Sequence, residues 1–177
     1  MSDDITVMSD NITVRPLHAG DAAQWRVLRL EALKAYPTAF QSSYEEALEQ
    51  DLSTRIPPPG SASVLFGAFH DGVLCGSAGL QVLPGPKQRH KAQLWGMYVA
   101  PAMQRRHVGA ALVRAAIEHA RTRVAVIQLV VLQANTAAQA LYRSFGFVSY
   151  GVEKRSLRYD GVDHDDELMA LDLGNGL

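Results

Sequence analysis

The chain has 177 residues, a formal net charge of −1, 47% hydrophobic residues and 20% charged ones. That profile suits a soluble globular domain and gives no support to a general nucleic-acid role. No apolar run reaches the ~18–20 residues that span a bilayer, and the single cysteine, Cys75, excludes an intramolecular disulfide or a cysteine-based metal site.

The first residues hold a near-repeat, SDDITV (Ser2–Val7) and SDNITV (Ser9–Val14). Two copies are too few for a solenoid. The second copy reads as the first strand and the first as a flexible arm over residues 1–9, ahead of one domain over 10–177, with Met1 or Met8 as the start. The acidic opening lacks the basic start and apolar stretch of a secretion signal, so a cytoplasmic protein is expected.

ITVRPL (Ile12–Leu17) reads as a strand. Asp21 is expected to cap a helix running to about Ala35, with Trp25, Leu28, Ala32 and Ala35 on its buried face. SYEEALEQD opens a second, short helix. RIPPPGSAS (Arg55–Ser63) must be loop, since three successive prolines continue neither helix nor sheet. SVLFGAFHDGVLCGSAGLQVL is a hairpin turning at Asp71-Gly72. Lys91–Ala100 reads as a strand, Arg105–Arg121 as a helix, and Val124–Leu132 as a strand apolar on both faces, which together make a βαβ unit. Asn135 heads a last helix closed by Gly146, and a final hairpin turns at Asp160-Gly161. The predicted order, βααβββαβαββ, is an α/β (α+β) fold: a mixed sheet of about seven strands with about four helices, antiparallel in its first half, with one parallel crossover.

The segment QRRHVGA (Gln104–Ala110) falls where the crossover helix begins. Free N–H groups there form an anion site carrying roughly half a positive charge. Arg105 and Arg106 add cationic side chains. An ordinary basic helix start fits the same residues. The segment lacks the Gly-Lys-Ser/Thr ending of a nucleotide-triphosphate loop and two of the three glycines of a dinucleotide fingerprint.

VAPAMQRRHVGA resembles the GNAT superfamily of N-acetyltransferases, in which a strand ending in V-x-P precedes Gln/Arg-x-x-Gly-x-Gly/Ala. Gln104, Gly109 and Ala110 match that pattern, and His107 stands where its first glycine belongs. QANTAAQALYRSFGF is similar to a second family segment through Asn135, Ala138, Leu141, Tyr142, Gly146 and Phe147. The resemblance covers about Ile12 to Leu173. It implies acetyl-CoA as cosubstrate, no metal, and acetyl transfer to a primary amine of a small molecule or peptide by direct attack in a ternary complex. No nucleic-acid or membrane partner is implied, and a homodimer is left open.

The resemblance also implies site residues. The amides of Gln104, Arg105, Arg106, His107, Val108, Gly109 and Ala110 would hold the pyrophosphate. If position 107 is helical, histidine there costs little; its side chain is either a surface group or a partner for a CoA phosphate. Met97, Tyr98 and Val99 would offer strand backbone to the pantetheine arm. Asn135, with Ala138 beside it, either caps its helix or binds pantetheine. Tyr142 is the candidate general acid for the departing thiolate, a donation expected to run downhill from a phenol near ~10 to a thiol near ~8.5. The general base stays open among Glu45, Glu46, His90, Tyr98 and water. Tyr36, Phe40 and Tyr44 would line the acceptor. Asp160, Asp163, Asp165, Asp166 and Glu167 either attract a cationic amine or are simply solvated. Two rivals remain: a non-catalytic acyl-CoA-binding module on the same fold, and an unrelated phosphate-ester binder.

Overall fold

The computed structural model describes residues 5–7 and 11–174. The helices are α1 (Ala22–Ala35), α2 (Tyr44–Glu49), α3 (Val108–Ala120) and α4 (Thr136–Ser144). The strands are β1 (Ile5–Val7), β2 (Ile12–Pro16), β3 (Val64–His70), β4 (Val73–Val82), β5 (Lys91–Val99), β6 (Val126–Leu132), β7 (Val148–Tyr159) and β8 (Val162–Asp172). They form one sheet in the order β1-β2-β3-β4-β5-β6-β8-β7, and only β5 and β6 pair in parallel. The expected mixed sheet of seven strands with four helices and one parallel crossover is present. An eighth strand joins it from the arm: Ile5–Val7 pair with Val14–Ile12 at the sheet edge. The rest of the arm lies outside the described residues.

The sheet is covered on both faces. In β3, Val64, Phe66 and Ala68 join the core beneath α3, while Leu65 joins the core beneath α1. That two-sided burial explains why VLFGAF is continuously apolar rather than alternating. Leu112 and Val113 of α3 are fully buried, and burying a side chain of that size contributes about 1.5–3 kcal/mol.

Helix α1 departs from expectation in two details. Asp21 stands at its N-cap position but does not cap it; its carboxylate accepts from the His18 N–H at 2.8 Å and pairs with Arg15 at 2.8 Å. Its buried residues are Trp25, Leu28, Arg29, Ala32 and Leu33, and Ala35 is exposed. Those positions follow i, i+3, i+4, i+7, i+8, so the stripe has helical spacing and includes an arginine.

The break in the sheet that makes room for a site lies between β5 and β6. They pair only from Lys91–Leu94 against Val126–Leu129, then run on to Val99 and Leu132 without pairing. On the other side of β5 the register with β4 shifts between Ser77 and Gly79, opposite Tyr98 and Trp95. The bulge contains Gly96 at φ 62°, a left-handed conformation that glycine adopts at no steric cost.

Candidate active site

Helix α3 begins at Val108, three residues later than the periodicity predicts, and the reason is conformational. Arg105 (φ 59°) and His107 (φ 60°, ψ 10°) are both left-handed. Position 107 is therefore not helical, and histidine there carries the strain that the family's glycine avoids. Histidine is among the few residues that enter this region with some frequency. Its side chain is exposed. The first backbone bond of the helix runs from Ala111 N–H to the His107 carbonyl at 3.0 Å. The N–H groups of Val108, Gly109 and Ala110 precede that bond, so they have no intrahelical acceptor. Residues alternating in and out of the left-handed region turn successive amides toward one concavity, a geometry that favours anions.

Gly109 stands beside packed side chains that leave room for a methyl group and little more. A Cβ there would stand 3.4 Å from Leu141 of α4 and 3.4 Å from Met97 of β5. The space it leaves is filled by neighbouring side chains, so a branched residue would strain the fold.

β5 presents its free edge beside this helix start. Ala100 N–H bonds to the Cys75 carbonyl at 2.8 Å. By the alternation of an antiparallel ladder, the N–H and C=O of Val99 then face away from β4, into the gap. Gln104 reaches back with Nε2 to donate to that carbonyl at 3.2 Å. Gln104 thus braces the loop against the strand, and one of the two Val99 groups is already engaged. Tyr98 is turned the other way. Its register partner is Ser77 of β4, and its hydroxyl donates to Glu31 of α1 at 2.8 Å. Burial, and then that hydrogen bond, push its phenol well above the usual value. Tyr98 therefore fits neither a pantetheine contact nor a general base.

On the β6 side of the gap, Asn135 Oδ1 accepts from Ala138 N–H at 3.1 Å, so this residue caps α4. The buried Gln139 donates to the carbonyls of Leu132 (3.3 Å) and Gln133 (2.8 Å) and ties α4 to the end of β6. Tyr142, one turn further, is 6% exposed and packs edge-on against Phe147, ring centroids 5.8 Å apart. Its hydroxyl makes no hydrogen bond to a described residue, and burial pushes its phenol up to about 12. This corrects the expected energetics. A phenol near ~10 is already a weaker acid than a thiol near ~8.5, so full proton transfer to a free thiolate runs uphill, and burial widens the gap. What the geometry offers is a protonated hydroxyl that can donate a hydrogen bond to a developing anion.

A cleft of ≈ 230 Å³ opens at the splay, lined among others by Arg29, Phe40, Arg55, Trp95, Gly96 and Asp166. Of the aromatic residues expected at an acceptor wall, only Phe40 lines it. Tyr36 lies against the Tyr98 ring (centroids 6.0 Å apart) and Tyr44 packs beneath α1. Arg29 is 9% exposed, its Nη1 is buried without a hydrogen-bond partner, and its guanidinium sits 4.6 Å from the Phe40 ring centroid. Burial first, and the charge of Arg55 second, push its guanidinium down to about 10, so it stays protonated at neutral pH.

The remaining base candidates do not line the cleft. Glu46 closes a capping box, accepting from Ser43 N–H at 2.9 Å, and Glu45 is exposed on α2. His90 precedes β5 at the end opposite the splay, where its carbonyl accepts from Ala125 at 2.8 Å. Most of the acidic cluster forms ion pairs: Asp163 with Arg155 and Arg158, Asp165 with Lys154, Glu167 with Arg143. Asp160 is exposed in the turn. Asp166, buried to 4% exposure beside Leu132, lines the cleft and forms no ion pair with a described residue. Among the described residues, no group of three His, Cys, Asp or Glu could hold a metal ion, and no helix is long and apolar enough to cross a membrane.

Arg29, Arg55 and Trp95 were not foreseen at the cleft, and Asp166 was foreseen only as one of five clustered acidic residues. Only Arg29 left a signal, an arginine four residues after Trp25 on an otherwise apolar stripe.

Comparison with known proteins bears on the family and the fold. A family profile described as "Acetyltransferase (GNAT) family" matches residues 25–147. The aminoglycoside N(6')-acetyltransferase type 1 of Klebsiella aerogenes is 33% identical over 119 residues, 66% of this chain and 75% of that protein. The N-alpha-acetyltransferase RimI of Mycobacterium tuberculosis is 38% identical over 97 residues, 55% of this chain and 60% of that protein. Among solved structures, yncA of Salmonella typhimurium, determined with its cofactor acetyl-CoA, superposes with a TM-score of 0.78 at 21% identity, covering 94% of this chain and 96% of that one.

Proposed function

The chain belongs to the acetyltransferase (GNAT) family, and on that premise we propose that it transfers the acetyl group of acetyl-CoA to a primary amine of a small molecule or peptide, by direct attack in a ternary complex. The observation that carries this reading is the gap between β5 and β6, where one strand edge is free and a cleft opens; a helix start with unpaired amides lies on α3, and a phenol without a hydrogen bond to a described residue lies on α4.

The residues present fit the cosubstrate. The amides of Val108, Gly109 and Ala110, with the left-handed residues ahead of them, suit its phosphates, and the free edge around Met97 and Val99 suits its amide-bearing arm. When bound, acetyl-CoA supplies a thioester carbonyl open to an amine. The protein's own residues do the rest. Asp166 attracts the ammonium form, which gives up a proton to water; the neutral nitrogen then attacks while donating a hydrogen bond to Asp166, and the new C–N bond replaces the C–S bond as CoA leaves as thiolate. Tyr142 donates a hydrogen bond to the departing sulfur, and the apolar packing of α4 around it keeps competing water away.

The test is acceptor-dependent release of CoA thiol, with the N-acetylated product identified by mass spectrometry across a panel of amines. Tight binding of acetyl-CoA without turnover on any amine would leave a non-catalytic acyl-CoA-binding module instead.

A further inference from the structure

Arg29 is an anomaly that packing does not explain. It lies on the buried stripe of α1, with Leu28 and Ala32 beside it in the core beneath that helix. It forms no ion pair and no hydrogen bond with a described residue, and its Nη1 is wholly enclosed. The Phe40 ring gives it a cation–π contact but no hydrogen-bond acceptor, and a buried charge without an acceptor is destabilising. Arg55 lines the same cleft, its guanidinium 5.9 Å from the Trp95 ring centroid, and adds a second positive charge rather than relief. The carboxylate-bearing residue of the cleft, Asp166, is not paired with either arginine. The walls thus carry two cations and one anion that do not neutralise one another.

A ligand with the reverse arrangement completes the set. Its anionic group would supply the missing counter-charge and acceptors for Arg29, and its ammonium would lie toward Asp166. A guanidinium forms its strongest, planar hydrogen bonds with a carboxylate. The aromatic faces of Phe40 and Trp95 leave an apolar surface for a side chain.

We propose that the acceptor is a small aminocarboxylate, such as a free α-amino acid, whose carboxylate is held by Arg29 with help from Arg55 while its amine faces the reaction centre. This rests on the acetyltransferase reading above. The same charges disfavour a polycation such as an aminoglycoside, because two guanidinium groups stand where it would enter.

The test compares glycine, alanine, leucine, methionine and phenylalanine as free acids with their α-carboxamides. Kanamycin and a hexapeptide beginning with alanine serve as further acceptors. The first readout is CoA release. The free acids should exceed their matched amides in kcat/KM by at least ~10-fold, the scale of one charge-assisted contact. Arg29→Gln should bring that ratio close to one while acetyl-CoA affinity stays within about twofold. Arg29→Lys, which keeps the charge and loses the fork, should fall between.

The second readout needs no turnover: the thermal shift given by each acid and each amide, with and without CoA. The acids should raise the melting temperature of the wild type more than their amides do, and that difference should vanish in Arg29→Gln. Without ligand, Arg29→Gln should melt at the wild-type temperature or above it, since it removes an uncompensated charge. Amides equal to acids in both readouts, an equal loss on both in Arg29→Gln, or preference for kanamycin or the peptide over every free acid would each overturn the proposal. Failure to bind acetyl-CoA would defeat the acetyltransferase reading alone, and the thermal shifts would still decide the role of Arg29.

Discussion

The two sides of the β5–β6 gap are built from different materials. On the α3 side the groups proposed to face a ligand are backbone amides, set by the left-handed Arg105 and His107 and by the free edge of β5. On the cleft side they are side chains drawn from distant points of the chain: Arg29 of α1, Arg55 of a loop, Trp95 of β5 and Asp166 of β8. Backbone recognises what every turnover shares, and it tolerates substitution as long as the conformation survives. Side chains recognise what one acceptor has and another lacks. A histidine in a glycine position is compatible with the first mode, whereas an arginine replaced by an isostere is not compatible with the second.

The largest effect is expected at the buried phenol of α4. Tyr142→Phe should lower kcat by ~10²–10³-fold, the usual loss when one donor to a developing anion is removed, with acetyl-CoA affinity within about twofold. The buried phenol ionises near 12, so the hydroxyl stays protonated across pH 8–10. It should therefore contribute no falling limb to kcat there. A limb in that range that disappears in Tyr142→Phe would contradict this.

A smaller loss is expected on the side-chain half. Asp166→Asn should reduce kcat/KM for an ammonium-bearing acceptor by ~10-fold or more, equivalent to about 1.4 kcal/mol. Loss of acetyl-CoA affinity instead would place Asp166 on the wrong side of the comparison.

On the backbone half, substitution should act through packing. Gly109→Ala places its Cβ 3.4 Å from Leu141 and Met97, in ordinary contact, and should leave CoA affinity nearly unchanged. Gly109→Val adds two methyl groups to a filled space and should destabilise by ~1–3 kcal/mol, with CoA affinity falling as α3 shifts. Calorimetric titration with CoA and thermal melts of both variants separate these outcomes. A valine variant with unaltered stability would show that the space is looser than the geometry implies.

The smallest effect is expected at His107→Gly. Leaving the left-handed region to glycine relieves about 1–2 kcal/mol, offset by ~0.5–1 kcal/mol of extra chain entropy in the unfolded state. The net should be a slight rise in melting temperature and CoA affinity within about twofold. A marked fall in stability would mean that the imidazole makes a contact that the exposed position does not suggest.

The same division explains what could be read from the sequence. The strand and helix order was legible because hydrophobic period and the Asp71-Gly72 and Asp160-Gly161 turns are local signals, and the α3 and α4 segments were legible because their residues are contiguous. The left-handed conformation of His107 was not, since nothing in QRRHVGA marks a helix starting at Val108 rather than Arg105. Asp166 was hidden by Asp163, Asp165 and Glu167, which look equivalent in sequence and are set apart in the structure by their cationic partners. The cleft as a whole could not be read, because it arises where two strands stop pairing, and pairing is a tertiary property.

The most direct test of the central claim is a crystal structure of the protein with CoA. The account predicts phosphates on the amides of residues 105–110 and the pantetheine arm along the free edge of β5 at Met97–Val99, with the sulfur beside Tyr142 and the Arg29 cleft left open for an acceptor. CoA bound anywhere else, or lying in the Arg29 cleft with its phosphates on the guanidinium groups, would contradict it.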